Sequence, residues 1–196
     1  MKPGITVAIP CIPPRVSTLL THAIGSVQAQ TLQPVTIACV LDVGREGAAA
    51  TRQRALDSVK TEWVAYLDDD DQWYPHHLQT LMDLAVERDA EYVWSWFDGN
   101  QPFPGHRGRQ MILDEPHHTT MGIMVKTLLS QEAGFMPHPE APPAWAGEDW
   151  YHQLRCIEIL RARYGDEVAT TKFAGTPEVT WTYRMHGRNT SGRATW

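Results

Sequence analysis

The chain has 196 residues, a formal net charge of -6 and a pI near 5.8. That acidic balance disfavours nucleic acid or an anionic lipid surface as the partner. Hydrophobic residues make up 42% and charged residues 20%, an ordinary globular composition at a length that suggests one domain.

The three cysteines, Cys11, Cys39 and Cys156, are widely spaced and odd in number. They form neither a disulfide framework nor a zinc pattern. Cys11 and Cys39 sit in or beside apolar runs and are expected to pack as small core residues. The start, "MKPGITVAIP", has no long apolar stretch of the signal-peptide kind, and no run has the length of a membrane span. A cytoplasmic location is therefore expected.

"ITVAIP" (Ile5 to Pro10) is an apolar run ended by proline, the mark of a buried strand. Val16, Leu19, Leu20, Ala23, Ile24 and Val27 follow with the spacing of an amphipathic helix. "VTIACVL" (Val35 to Leu41) reads as a second strand. Gly44 and Gly47 mark a loop, and Ala48 to Val59 is strongly helix-forming. "WVAYL" (Trp63 to Leu67) is a third strand. Pro75 opens a helix with Leu78, Leu81, Met82 and Ala85 on one side. "YVWSWF" (Tyr92 to Phe97) is a fourth strand.

Strands alternating with helices predict an α/β fold with a mostly parallel sheet and helices on both faces. The second half is less regular. It offers a long Gly-, Pro- and His-bearing loop over 99–118, a strand within Thr119 to Val125, and a proline-rich loop over 136–147. A helix from Glu148 stops at Gly165, and a strand runs from Val179 to Arg184. We expect one domain with two halves, 1–98 and 99–196.

Ligands in such sheets bind beyond the carboxyl ends of the strands. "PCIPPR" (Pro10 to Arg15), Asp42, the run Asp68-Asp69-Asp70-Asp71 and Asp98 all fall at such ends. Four adjacent carboxylates repel each other. They become tolerable in a solvated loop, or beside a cation.

Six segments then carry a resemblance: "IPCIPPR…LLTHAIGSVQAQT", "GAAATRQRAL", "WVAYLDDDDQWYPHHLQTL", "EAGF", "GEDW" and "YRMHGRNTSG". In this order, and over about Ile5 to Gly192, they resemble a family 2 glycosyltransferase of the GT-A fold. The resemblance implies a nucleotide-sugar donor, a divalent metal (Mn²⁺ or Mg²⁺) and inversion at the anomeric carbon. It implies Asp70 as the direct metal ligand, with Asp68 and Asp69 facing the ribose or donor sugar. Carboxylates suit such hard cations, and few are needed because diphosphate and water supply the rest.

Asp71 is expected to cap the helix near Pro75 or to support the ligands from behind. Asp42 reads either as a partner of the base, usually uracil, or as a turn-forming aspartate before Gly44. Arg52 matches an arginine that reaches the nucleotide or diphosphate in relatives, with Arg54 as a competitor. Pro10 and Arg15 fall in the same nucleotide-binding region. Arg15 either reaches phosphate or lies on the surface at a helix start.

In "GEDW" the resemblance makes Asp149 the general base and Glu148 its orienting neighbour. Two acids at a helix N-terminus are also favourable in their own right. Trp145 and Trp150 flank the pair, as core residues or as platforms for sugar rings. His186 matches a further metal ligand of some members, inside a C-terminal flap.

Two departures from the family pattern stand out. The acidic run is four aspartates, so roles can slide by one. The chain is also short, which favours a single transfer over polymer synthesis. The acceptor stays open among glycan, lipid-linked, protein and modified-base hydroxyls. A nucleotidyltransferase would need a Gly-rich phosphate loop with lysine, which "PCIPPR" lacks. The remaining alternative is a relative that binds nucleotide-sugars without catalysis.

Overall fold

The computed structural model describes residues 4–99, 120–137, 139 and 147–184. Strand β1 (Ile5–Cys11) leads into a continuous helical run, α1. Its turns are 3-10 at Pro13–Arg15, α at Val16–Thr18, π at Leu19–Ala23 and α again at Ile24–Gln28. Then come β2 (Thr36–Leu41), α2 (Ala48–Asp57), β3 (Trp63–Tyr66), β4 (Gln72–Trp73), α3 (His77–Arg88) and β5 (Tyr92–Gly99). The second half adds β6 (Ile123–Lys126), α4 (Thr127–Ala133), α5 (Glu148–Thr171) and β7 (Phe173–Tyr183).

The described strands form one sheet in the order β2-β1-β3-β6-β5-β7-β4. Pairing is parallel for β1 with β2, β1 with β3 and β5 with β7, and antiparallel at β6 and β4. Five of the seven strands therefore run the same way, as the α/β pattern predicted. The strand expected near Thr119 to Val125 is β6. It separates β3 from β5, although these are the neighbours along the first half of the chain.

Alternation along β1 divides the core. Ile5, Val7 and Ile9 pack with Leu19, Ala23 and Val27 of α1 and Leu78, Leu81 and Met82 of α3. Ala8 faces the other layer with Val64, Tyr66, Ala55, Leu56, Leu129, Cys156 and Leu160. Each fully buried aliphatic side chain contributes about 1.5–3 kcal/mol. Helices on both faces are thus a direct consequence of period-two strands whose two sides are both apolar.

Several expectations need correction. β2 is an edge strand, with Thr36, Cys39 and Leu41 exposed. Cys39 is accordingly a surface thiol and not a core residue. The helix after Pro75 begins at His77. The helical run from Glu148 breaks at Gly165, as expected, where φ is 77° and ψ is 163°. A further helical stretch then continues to Thr171. Only glycine adopts that backbone geometry cheaply.

Two buried histidines brace the layers. His77 Nδ1 lies 2.6 Å from Thr180 Oγ1, which lies 2.6 Å from Ser95 Oγ, and the ring stacks on Trp73. His152 donates from Nδ1 to the Gly134 carbonyl at 2.9 Å, which leaves Nε2 to accept from Ser130 Oγ at 3.1 Å. Ser130 Oγ in turn is 2.6 Å from Tyr66 Oη. Burial lowers both imidazoles, His77 to about 3 and His152 to about 4.

The sign follows. Below about pH 6.5 the unfolded chain binds these protons and the folded chain does not, so stability falls as pH falls through that window. Each histidine should cost about 2 kcal/mol between pH 7 and pH 5. His77→Phe, which can still stack on Trp73, should lose about 2 kcal/mol less than the parent over that interval. Urea midpoints at the two pH values measure this. Equal losses in both proteins would contradict it.

Candidate active site

The site forms where β3 ends at Tyr66, opposite Ala8, while β1 runs on to Cys11. Leu67 N–H donates to the Ala8 carbonyl at 3.2 Å, and the ladder stops there. Pro10 is tolerated in the next row because no partner strand remains on that side to want its N–H. At the row after that, Asp69 Oδ2 takes the Ile12 N–H at 3.0 Å. A side chain thus continues the pairing that the strand abandons, and it folds the acidic run across the end of β1. The Asp71 N–H to the Asp68 carbonyl, at 3.3 Å, closes the turn.

Each aspartate has a distinct place. Asp69 and Asp70 are buried and share Arg15, whose Nη1 is 3.1 Å from Asp69 Oδ1 and 2.7 Å from Asp70 Oδ2. Asp71 is also buried, and its Oδ1 accepts the Arg184 N–H at 3.0 Å. Asp71 Oδ2 is buried without a hydrogen-bond partner. The expectation that Asp71 caps the following helix fails: His76 occupies the cap position and no side chain caps it. Burial, aided by Asp68, raises the Asp71 carboxyl well above the usual range. Burial also pushes Asp69 up to about 6, opposed by the Ile12 N–H.

Arg52 of α2 reaches across to both halves of the molecule. Its Nη2 donates to Asp68 Oδ1 and Oδ2 at 2.8 and 3.0 Å, and its Nη1 donates to Glu148 Oε1. Burial works against the guanidinium charge, but Asp68, Glu148 and Asp149 together raise its pKa. Arg54, the competing candidate, pairs with Glu46 on the surface. Burial pushes the Glu148 carboxyl upward, with Arg52 opposing and Asp149 adding to the push.

The second acidic pair is placed by Gly147, which precedes α5 with φ 57° and ψ 23°. That left-handed turn favours glycine and starts the helix directly at Glu148 and Asp149. Both acids lie in its first turn, where the dipole favours negative charge. Asp149 is half-buried, and its Oδ1 accepts the Trp150 N–H at 2.8 Å.

The structure therefore gathers two ion-pair sets: Arg15 with Asp69 and Asp70 and, adjoining it along the chain at Asp68, Arg52 with Asp68 and Glu148. Asp149 stands beside it in sequence. Asp42 is buried at the end of β2, where Oδ1 accepts the Glu46 N–H and Oδ2 the Gly47 N–H. Its turn-forming role is thus present. Pro10 lies half-buried in the β1–β2 register. His186 and Trp145 lie outside the described residues. Asp98, noted as a strand-end carboxylate, accepts from Tyr74 Oη at 2.8 Å and from Thr182 Oγ1 at 3.0 Å.

Sequence reasoning missed the Arg184 backbone contact and the Tyr66–Ser130–His152 chain beneath the site. One signal was available: His152 follows Glu148 by four residues, so both fall on one helix face. Nothing in the sequence marks Ser130.

The donor set fits a hard divalent cation. Asp68, Asp70 and Asp71 each present an oxygen, all within 4.8 Å of one another. At that spacing each pair of charges repels by at least about 3 kcal/mol at an effective dielectric of about 20. Asp68 to Asp71, Glu148 and Asp149 outnumber Arg15 and Arg52. The orphaned Asp71 oxygen and this surplus charge are both answered by a dication coordinated by oxygen.

The family pattern described as "Glycosyl transferase family 2" matches residues 17–138, more than half of the chain. The chain belongs to that family. The succinoglycan biosynthesis protein ExoW of Rhizobium meliloti (strain 1021) is 34% identical over 64 residues, which cover 32% of this chain and 20% of ExoW. The fold resembles that of S. aureus TarS 1-349 in complex with UDP-GlcNAc, with a TM-score of 0.68 at 12% identity over 95% of this chain and 60% of that one. A longer TarS structure gives 0.65 at 11% identity, over 93% of this chain and 37% of that one. The GT-A-like fold is therefore shared, while this chain spans less than two thirds of each of these proteins.

Arg52→Met should leave Asp68 and Glu148 without their shared cation. Removing one partner of a buried pair costs about 3–5 kcal/mol. Arg52→Lys should recover only part of that, because one ammonium cannot serve both carboxylates in fork geometry. Urea unfolding of the three proteins tests this. A loss below about 1 kcal/mol for the Met variant would show that the bridge is dispensable.

Proposed function

We propose that this chain is a metal-dependent, inverting glycosyltransferase that moves a sugar from a nucleotide-diphosphate donor, UDP-sugar first among them, to an acceptor hydroxyl. The observation that carries the reading is the Arg52 bridge, which joins an aspartate of the strand-end run to the first residue of the Glu148-Asp149 pair. Acid clusters for two different tasks are thereby held as one site. The UDP-GlcNAc bound in the TarS relative supports the choice of donor class.

In this reading Asp70 is the principal metal ligand, with Asp68 and Asp71 beside it and His186 as a further one. A divalent ion bound there neutralises the charge that grows on the diphosphate leaving group. The remaining steps belong to the chain's own residues. The acceptor hydroxyl gives its proton to the Asp149 carboxylate as its oxygen attacks the anomeric carbon. The bond from that carbon to the diphosphate oxygen breaks, and its electron pair leaves with the diphosphate. Attack opposite the leaving group inverts the anomeric centre.

Arg52 opposes the upward push of burial on Glu148 and fixes its carboxylate, and Glu148 sets the start of α5 from which Asp149 projects. Residues 1–98 serve as the nucleotide-sugar half and 99–196 as the acceptor half. Asp42 is the proposed partner of the base. Asp68, Asp69, Arg15 and Pro10 border the ribose and phosphates. The Asp68 and Asp69 bonds to Arg52, Arg15 and Ile12 use only part of their acceptor capacity.

Two outcomes are expected. Asp70→Ala should abolish Mn²⁺-dependent UDP binding by calorimetry while the protein stays folded; undiminished Mn²⁺-dependent affinity would move the metal elsewhere. Asp149→Asn should keep UDP affinity yet slow UDP release from UDP-sugars, with water as acceptor, by about 10²-fold or more. A near-normal rate would make Asp149 a structural acid and leave Glu148 as the next candidate.

A further inference from the structure

We propose that Arg15 is an internal counter-cation that holds Asp70 until a diphosphate draws it away, so that the metal binds tightly only together with the nucleotide. This deepens the reading above and rests on it. The geometry is direct: Arg15 Nη1 sits 2.7 Å from Asp70 Oδ2, nearer than its 3.1 Å approach to Asp69. The side chains are 13% and 7% exposed, so the contact lies just inside the rim of the site.

The backbone that carries Arg15 is fixed. Pro13 and Pro14 restrict their own φ, and the Arg15 N–H bonds the Ile12 carbonyl at 2.9 Å. Ile12 is itself held by Asp69. Any adjustment must therefore come from the long side chain, which can turn outward without disturbing β1.

Arg15 and Arg52 differ in a telling way. Arg52 is buried and spans two carboxylates from separate elements, so moving it would leave both uncompensated. Arg15 serves two adjacent residues of one loop, and Asp69 keeps the Ile12 N–H if Arg15 leaves. Asp70 is one of the carboxylates a metal needs.

A dication approaching Asp70 alone meets a guanidinium already seated on it, and like charges repel at that distance. A diphosphate changes both sides of the exchange. It offers the planar guanidinium a bidentate anionic partner and gives the metal further oxygen ligands. The two ligands then favour each other, and the coupling is reciprocal. Arg15 is in this sense a positioning residue, acting through Asp70.

The test measures binding without turnover. Mn²⁺ affinity is read from the free-ion paramagnetic resonance signal, with and without UDP, for the parent and for Arg15→Gln. The proposal expects Arg15→Gln to bind Mn²⁺ alone at least tenfold more tightly than the parent. It also expects UDP to enhance Mn²⁺ affinity at least tenfold less in the variant than in the parent. A role in folding alone would lower both affinities together.

Unchanged or weaker Mn²⁺ binding by Arg15→Gln, with the parent still showing UDP-dependent Mn²⁺ affinity, overturns the inference and leaves the function standing. No UDP-dependent Mn²⁺ binding in the parent overturns both. If Arg15→Gln fails to fold, Arg15→Lys takes its place. A threefold or greater gain in affinity for Mn²⁺ alone then supports the proposal, and no gain overturns it.

Discussion

One buried guanidinium sets the terms for the rest of this molecule. Arg52 is the cation shared by Asp68, at the end of β3, and Glu148, at the start of α5. The half-buried Asp68 and the buried Glu148, from opposite halves of the chain, would otherwise repel. The desolvation cost of such a bridge is large, so its net contribution to stability is small compared with the cost of breaking it. Its structural consequence is specific: the acidic loop and the acidic helix start become one surface.

The second constraint is a strand that stops early. β3 ends at Tyr66 while β1 continues to Cys11, which opens a notch at the carboxyl edge of the sheet. The acidic run fills it, pinned by the Ile12 N–H on one side and the Arg184 N–H on the other. The anions are thereby concentrated by backbone bonding and only partly neutralised by arginine. A buried carboxylate with one oxygen orphaned, as at Asp71, is an unstable arrangement for an empty protein and a favourable one for a cation site.

Much of this was legible in the sequence, because most of the elements obey local rules. Short apolar runs revealed β1 and β3, helical spacing revealed α1 and α3, and the strand-end position of Asp68 to Asp71 marked the candidate site. The failures have a common origin in information that is not local. β4, with two residues, is too short to carry a pattern. The apolar run of β2 does not disclose that it lies at an edge, since composition does not record which neighbour is missing. The insertion of β6 between β3 and β5 is a property of the sheet and not of any segment.

The site shows the same division. The identity of the acids was readable, but their partners were not: Arg52 meets Glu148 across 96 positions, and Asp71 meets Arg184 across 113. Of the two readings of Asp71, the helix cap fails, although that is what an aspartate shortly before a helix usually does. The central claim is that the run Asp68 to Asp71 and the pair Glu148-Asp149 form a single site organised by Arg52. A crystal structure with UDP and Mn²⁺ tests it most directly, through the anomalous signal of the metal. The account predicts manganese at coordination distance from Asp70, with Arg52 still bonded to both Asp68 and Glu148. Manganese away from the run, or Arg52 detached from Glu148 and seated on the diphosphate, would contradict it.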